Sequence, residues 1–324
     1  FYSRLNAPLD FKTFEDESLS HRRLLCFWVG SSMPFYIRAI LVSLLAYFCF
    51  DLMGVHVRIL SARYAPQELS VYRNILGVIP AVILLAYTRE LSFTLRSYKI
   101  KQWKLALLRG LFVAIAQFLF YTALANLELA TVSALGQTSA IFVVLIAIVI
   151  YREKVGLWRW GAIVIGFLGA VLIVRPGSDV FTWTALMPIG AAFFYASSMV
   201  ALRSFDKSIS SSILYLYSAL AAVIGAISLT TVMTDFTPIH SVEDLLLIFS
   251  MSMCGGFGVI SLMYAFRNAP AAVLAPFSYF GIITAFFFGW FFFDELPIDT
   301  LFPGILLIIM SGLTILWREH KQNE

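Results

Sequence analysis

A chain of 324 residues that is 60% hydrophobic and only 13% charged, with a formal charge of +4 and a mean hydropathy of +0.86, cannot cover its own surface with polar groups. An average soluble domain is roughly 45–50% apolar and about 25% charged. A soluble enzyme is excluded on that ground, and so is a disordered chain, whose signature is low hydrophobicity with high charge. An all-α integral membrane protein remains, with segment lengths deciding its architecture.

Residues 1–36 mix Arg4, Lys12, Arg22 and Arg23 with Asp10, Glu15, Asp16 and Glu17. They lack a compact apolar core followed by a small-residue cleavage site and are expected to form a cytoplasmic tail with a surface helix near Leu24–Val29. A helix needs about 20 apolar residues to cross roughly 30 Å of hydrocarbon. Ten runs of about that length follow: Ile37–Val57, Glu68–Thr88, Leu105–Ala125, Leu129–Tyr151, Leu157–Val174, Trp183–Arg203, Ser211–Thr234, Leu245–Arg267, Ala271–Phe293 and Leu301–Trp317. They are continuous rather than alternating segments of about ten residues, so they read as helices and not as strands of a barrel. Short loops leave no room for a soluble domain.

Lys and Arg near span ends collect on the cytoplasmic side. With the N-terminus inside, eighteen of the 23 fall on inner segments. The outer loops hold Arg58, Arg63 and Arg175, and Arg73 and Arg109 lie within spans. This asymmetry predicts N-in, C-in and an even number of spans.

The halves resemble each other at an offset of 142. Residues 126–135 (NLELATVSAL) align with 268–277 (NAPAAVLAPF), and Tyr151-Arg152-Glu153-Lys154 aligns with Phe293-Asp294-Glu295-Leu296. Five spans per half is an odd number, so the copies run through the membrane in opposite senses. The expected division is a first repeat over 37–177, a second over 178–317 and a short tail over 318–324. Inverted repeats of this kind mark secondary transporters, with the substrate site near the midplane between them.

Several segments, taken in order, carry a family likeness: Tyr72-Arg73-Asn74, Phe120-Tyr121-Thr122-Ala123-Leu124, residues 129–135 (LATVSAL), Arg152-Glu153-Lys154, Gly166-Phe167-Leu168-Gly169, Arg175-Pro176-Gly177, Tyr264-Ala265, Ala272, Pro276 and Asp294-Glu295. The chain resembles the EamA-type permeases of the drug/metabolite transporter superfamily. Within it, the likeness is to the branch with S-adenosylmethionine uptake transporters and other metabolite permeases of Gram-negative bacteria. The resemblance implies ten helices, an inner-membrane location and secondary transport of a small metabolite. It also implies that spans four and nine line a central cavity. One departure stands out: the family has a proline in span four where this chain has Ala134, while Pro276 is kept in span nine. The halves are therefore expected to bend differently.

Charged groups at span centres cost about 2.5–3.5 kcal/mol on insertion scales and need a reason. Asp51 in span one and Arg73 in span two both fall roughly 10 Å below the outer boundary, at about 1.5 Å per residue. Three readings stand: a buried ion pair that fixes the two helices; Arg73 snorkelling beside a protonated Asp51; or one or both groups on the substrate cavity or gate. In the last case they would recognise a zwitterionic or anionic solute, or Asp51 would couple transport to protons. Gln137 and Ser133 in span four, with Gln137 matched by Tyr279, are wall candidates or interhelical hydrogen-bonding groups. Tyr121 and Tyr264, which close spans three and eight, are cavity walls or interface residues. Arg109 is expected to snorkel. Ala162, Gly166 and Ala170 form a small-residue stripe for close helix packing within the bundle or in a weak homodimer. Pro80, Pro188 and Pro276 invite kinks.

The scattered Cys26, Cys49 and Cys254 and four isolated His give neither a disulfide framework nor a metal site. No nucleotide-binding or hydrolase motif is present, so no cofactor, metal, nucleic-acid partner or enzymatic activity is expected. The partners expected are the bilayer and a small-molecule substrate. The alternative to a carrier is a channel-like or structural membrane protein.

Overall fold

A computed structural model describes residues 35–87, 100–152, 157–175, 182–206, 209–234, 236–268, 274 and 277–323. The tail helix near Leu24–Val29, the Glu153-Lys154 turn, Ala272 and Pro276 fall outside those residues. Within them the chain is helical without a strand, as a chain in hydrocarbon must be when every backbone group needs an internal partner. The helices are α1 (Phe35–Leu60), α2 (Pro66–Leu76), α3 (Val78–Tyr87), α4 (Trp103–Asn126), α5 (Leu129–Gly136), α6 (Ser139–Tyr151), α7 (Leu157–Val174), α8 (Met187–Ala201), α9 (Ser211–Met233), α10 (Val242–Asn268), α11 (Phe280–Phe293) and α12 (Gly304–Asn323). At 26 residues, α1 is about 39 Å long. Among the described residues, seven helical segments are long and apolar enough to cross a membrane. They cover α1, α2 with α3, α4, α5 with α6, α8 with its leading turn, α9 and α10. Three shorter apolar helices lie in α7, α11 and α12. Large apolar side chains such as Val164, Ile224 and Phe291 are more than half exposed, which places the outer surface of the bundle in lipid rather than water.

Two of the long runs are interrupted, which hydropathy does not reveal. α2 stops at Gly77, whose amide bonds back to the Arg73 carbonyl (2.8 Å), because the ring of Pro80 crowds the carbonyl four residues before it. The run 129–151 breaks after Gly136, where Gln137 and Thr138 bond to the carbonyls three residues back (3.2 and 3.1 Å) and the Thr138 hydroxyl donates to the Leu135 carbonyl (2.6 Å). The bend arises without a proline at 134. Its counterpart is Tyr279, the turn residue ahead of α11. Pro188 sits in the first turn of α8, where its missing N–H has no partner to lose, so it starts a helix rather than kinking one.

The most extensive packing joins α1 to α10, α7 to α12, and α4 to both α8 and α9. α2 meets α9, α5 meets α11, and α1 also meets α11. The largest apolar cluster lies where the C-terminal half of α1 meets α4, α5, α10 and α11, around Val57, Leu60, Tyr64, Leu124, Leu129, Met251 and Phe288. α4 also leans on α1 and α2, and no comparable packing of α10 on α8 or α9 is present among the described residues. Contact across the bundle is therefore one-sided.

The small-residue stripe of α7 is used inside the chain. Ser311 of α12 donates to the Ala162 carbonyl (2.6 Å) and its Cβ would lie 3.0 Å from a side chain at Gly166; next to the stripe, a side chain at Gly169 would meet the Gly304 carbonyl at 2.6 Å and Ile308 at 3.0 Å. Overpacking costs about 1–3 kcal/mol. Gly169→Val is thus expected to lower the thermal unfolding midpoint of the purified protein by several degrees, while Gly161→Ala, with open space around it, leaves the midpoint unchanged.

Candidate functional site

The polar side chains within the spans gather into two groups on opposite sides of α1. The first lies where α1 meets α5 and α11. Asp51 accepts a hydrogen bond from the Thr284 hydroxyl of α11, and Thr284 is itself buried. Gly281, one turn earlier on α11, opens the space between them: a Cβ there would lie 3.6 Å from Asp51 Oδ2, 3.9 Å from Ser133 Oγ and 3.9 Å from Tyr47 Cβ. Asp51, Ser133 and Tyr47 therefore converge on one point. Beside it, Gln137 Nε2 donates to the Ser278 carbonyl and Ser278 Oγ to Gln137 Oε1, both at 3.2 Å. This reciprocal pair ties together the two interrupted regions. The Tyr279 ring packs on Gly312 of α12.

The second group joins α2, α4, α9 and α10. Arg73 is 8% exposed. Its Nη1 donates to Asn74 Oδ1 (3.0 Å), while its Nε is buried without a hydrogen-bond partner. Asn74 is held in turn by Gln117 of α4 (2.7 Å) and lies near Ser70 Oγ (3.4 Å). The guanidinium edge rests on α10 at Gly255, where a Cβ would come within 2.8 Å of Met53 Sδ and 2.9 Å of Arg73 Nε. Tyr121, fully buried, points its hydroxyl at Met53 Sδ (3.5 Å). Tyr264 is partly buried on α10. Arg109 does not snorkel: its Nη1 donates to Ser218 of α9 and its Nε is buried and unpartnered.

Asp51 and Arg73, placed at the same depth by their positions in the sequence, thus take different neighbours. Arg73 approaches Met53, and two residues along a helix are about 200° apart around its axis. Asp51 consequently looks toward α11 while Met53 looks toward α10. Residue counting says nothing of azimuth. Sequence reasoning also missed Thr284, Gln117 and the glycines at 255, 281 and 312. The one available signal was that polar or side-chain-less residues stood in otherwise apolar runs.

A third constellation caps the large apolar cluster. Arg58, at the end of α1, forms a two-pronged pair with Glu295, donates to the Leu127 carbonyl (2.8 Å) and lies over the Phe293 ring at 4.7 Å. Glu295 also accepts from the Leu129 amide (3.4 Å). Burial pushes the Glu295 carboxyl up, and Arg58 with that amide draws it back. On the same face, Tyr64 donates to Asp244 (3.0 Å) and accepts from the His240 amide (3.0 Å), Arg63 pairs with Asp244, and Glu68 accepts from the Ala65 amide (2.9 Å) and the Thr237 amide. Among the described residues no group of His, Cys, Asp or Glu is arranged to hold a metal.

Apolar helices of membrane-crossing length around buried polar clusters define a multi-pass membrane protein. Residues 37–175 match the model of the EamA-like transporter family, of the drug/metabolite transporter superfamily. Full-length relatives carry the likeness through both halves. An uncharacterized transporter of Helicobacter pylori is 29% identical over 84% of this chain and 92% of its own. A riboflavin transporter of Vibrio cholerae is 28% identical over 76% and 82%. An S-adenosylmethionine uptake transporter of Rickettsia prowazekii is 27% identical over 66% and 72%. A solved crystal structure, 13% identical, superposes with a TM-score of 0.61 over 88% of this chain and 99% of that one, a likeness of fold. The family match and the names of these relatives point to transporters rather than enzymes.

Proposed function

We propose that the chain is a secondary transporter of the inner membrane, ten spans in two inverted five-helix repeats with both ends inside. It carries a small polar organic metabolite past a midplane site by alternating access. One observation carries the reading: the helix contacts repeat when the halves are exchanged. α1 packs on α10 as α8 packs on α4. α10 packs on α2 and α3 as α4 packs on α9, and α1 packs on α11 as α8 packs on α5 and α6. The pairs α7–α12, α5–α11 and α2–α9 map onto themselves. Local features support the same offset of 142: the interruptions at Gln137 and Tyr279, and the left-handed caps Arg152 and Asp294 with φ of 53° and 55°. The loop anchors follow suit, Gln102 holding Asp206 N and Ser204 O where Asp244 holds Tyr64 and Arg63. Two near-equivalent bundles have two conformations of similar energy, the physical basis of alternating access.

The Asp51 and Arg73 groups, one acidic and one basic on either side of α1, fit a zwitterion such as an amino acid or an S-adenosylmethionine-like derivative. The names of the relatives, riboflavin and S-adenosylmethionine among them, fit organic metabolites of that size. Proton coupling, if present, runs through Asp51. The test is uptake into proteoliposomes of a panel of radiolabelled amino acids, nucleosides and vitamins, with and without a pH gradient. Saturable uptake of at least one solute is expected, and Asp51→Asn and Arg73→Ala are each expected to reduce it at least tenfold. Uptake that never saturates overturns the carrier; full uptake in both variants removes these two residues from the site.

A further inference from the structure

The first polar group holds a carboxylate that no cation answers. Asp51 lies within a span, and among the described residues the ion pairs are Arg58–Glu295 and Arg63–Asp244, both at span ends. Arg73 is on the other side of α1, against Gly255. The Thr284 hydroxyl donates to Asp51 Oδ2. Among the described residues Asp51 Oδ1 accepts no hydrogen bond and Ser133 Oγ makes none. Neither atom is sealed in by its neighbours, and Tyr47, Asp51, Ser133 and Gln137 are all partly exposed. Hydrocarbon cannot solvate a carboxylate, and intramembrane carboxylates face the bundle interior or a polar cavity. The open side of Asp51 is therefore assigned to the space between α1, α5 and α11, whose side chains meet there.

The width of that space is fixed at Gly281 of α11. A Cβ there would have no neighbour closer than Asp51 Oδ2 at 3.6 Å, followed by Ser133 Oγ and Tyr47 Cβ at 3.9 Å each. One methyl group fits in ordinary van der Waals contact, unlike at Gly255 and Gly312, where other side chains already take the place. Tyr47 and Asp51, four positions apart on α1, share a helix face. An ammonium group is about the size of a methyl and donates three hydrogen bonds. Near this point it has the Asp51 carboxylate and the Ser133 hydroxyl beside it, both with acceptor capacity to spare. A charge-assisted bond to the carboxylate relieves the cost of an unpaired charge in a low-dielectric interior. A quaternary ammonium has no N–H to donate and needs more room than one methyl.

We infer that Asp51 and Ser133 seat a primary ammonium group of the transported solute, and that Gly281 is the specificity-determining residue that limits its size. The inference rests on the carrier reading and narrows its substrates to solutes with such an amine. The probes are benzylamine, benzyl alcohol, which has nearly the same shape without the charge, and benzyltrimethylammonium, which keeps the charge but not the size. Each is titrated at neutral pH into the purified chain in non-ionic detergent while thermal unfolding is followed. Benzylamine is expected to raise the unfolding midpoint and the other two to leave it unchanged. Asp51→Asn is expected to weaken benzylamine binding at least tenfold, as the loss of a hydrogen bond to a charged group does, and Ser133→Ala by less. Gly281→Ala keeps the charge and fits without overlap. It is expected to leave the midpoint of the protein alone unchanged while weakening benzylamine binding at least tenfold. Equal shifts with benzyl alcohol, or undiminished binding in Asp51→Asn, overturn the seat. Equal shifts with benzyltrimethylammonium, or undiminished binding in Gly281→Ala, overturn the size limit. Should Asp51→Asn fail to fold, undiminished binding in both Ser133→Ala and Gly281→Ala overturns the seat instead. Added phosphatidylethanolamine distinguishes the source of the amine: if it abolishes the benzylamine shift, the seat belongs to a lipid headgroup and the solute assignment falls. Failure of the carrier reading looks different, as benzylamine binding by a protein that shows no saturable uptake.

Discussion

Arg58→Glu is expected to abolish saturable transport and to expose the interior of the bundle from the Arg58 end. The guanidinium holds three separate pieces of chain: its own helix α1, the Leu127–Leu129 turn between α4 and α5, and the Glu295 loop after α11. Losing one partner of a fully buried ion pair costs roughly 3–5 kcal/mol. Here both side chains are about a fifth exposed, 21% and 16%, so solvent screens part of that cost. Reversal adds repulsion between two adjacent carboxylates on top of the loss. On the carrier reading proposed above, the apolar cluster beneath the pair and the one-sided lean of α4 on α1 and α2 mark this as the end at which the two repeats are closed together. A carrier must part them there once per cycle. Labelling of Cys254, which packs against that cluster, by a membrane-impermeant maleimide measures the opening in a Cys26→Ser, Cys49→Ala background. The rate is expected to rise at least tenfold in Arg58→Glu. The exchange Arg58→Glu with Glu295→Arg is expected to recover the slow rate only in part, because a glutamate at 58 cannot donate to the Leu127 carbonyl. An unchanged labelling rate in Arg58→Glu would show that the pair bears no part in closure.

Gly312→Ala is expected to be the most damaging single-methyl change, because the Tyr279 ring occupies the place of the missing side chain. The hydroxyl would overlap a Cβ there, and the ring carbon that bears it would lie at 2.7 Å. A rigid ring cannot bend aside as a long aliphatic chain does, so it must rotate away from α12 or α11 must shift. Overpacking of this kind costs on the order of 1–3 kcal/mol. Tyr279→Ala in the same chain is expected to recover most of the lost stability, an interaction energy far from zero in a double-mutant cycle. Thermal unfolding of the four proteins measures it. Strictly additive effects would show that Tyr279 does not rest on α12. The same substitution also displaces the residue next to the Gln137–Ser278 pair, so transport in Gly312→Ala is expected to fall with stability and to return with it in the double variant.

Most of the helix map was legible in the sequence because the bilayer reads hydropathy locally. The runs beginning at Leu105, Leu157, Ser211 and Leu245 are helices within about three residues of where their apolar character starts, and no long-range contact was needed to find them. The interruption at Gln137–Thr138 was not legible, since both residues continue an apolar run and the bend depends on a Gly136 that also sits comfortably inside helices. Proline was a poor guide: the missing proline at 134 predicts halves that bend differently and Pro188 predicts a kink, yet span four is interrupted at Gln137–Thr138 without a proline and Pro188 sits in a first turn. The polar residues were visible one by one. Asp51, Arg73, Gln137 and Ser133 were picked out because a polar group in hydrocarbon is costly whatever surrounds it.

The residues by themselves determined what each segment must do to leave water: become a helix, cross the bilayer, and bring a few costly polar groups with it. That follows from transfer free energies, which are properties of single side chains and short runs. Which polar group faces which was decided only when the helices packed. Rotation about a helix axis is free until neighbours interlock, and about 200° of it separates Asp51 with Thr284 from Met53 beside Arg73. The glycines at 255, 281 and 312 show the same division: as letters they are ordinary small residues, and only the neighbour that fills each vacant side-chain position gives them a role.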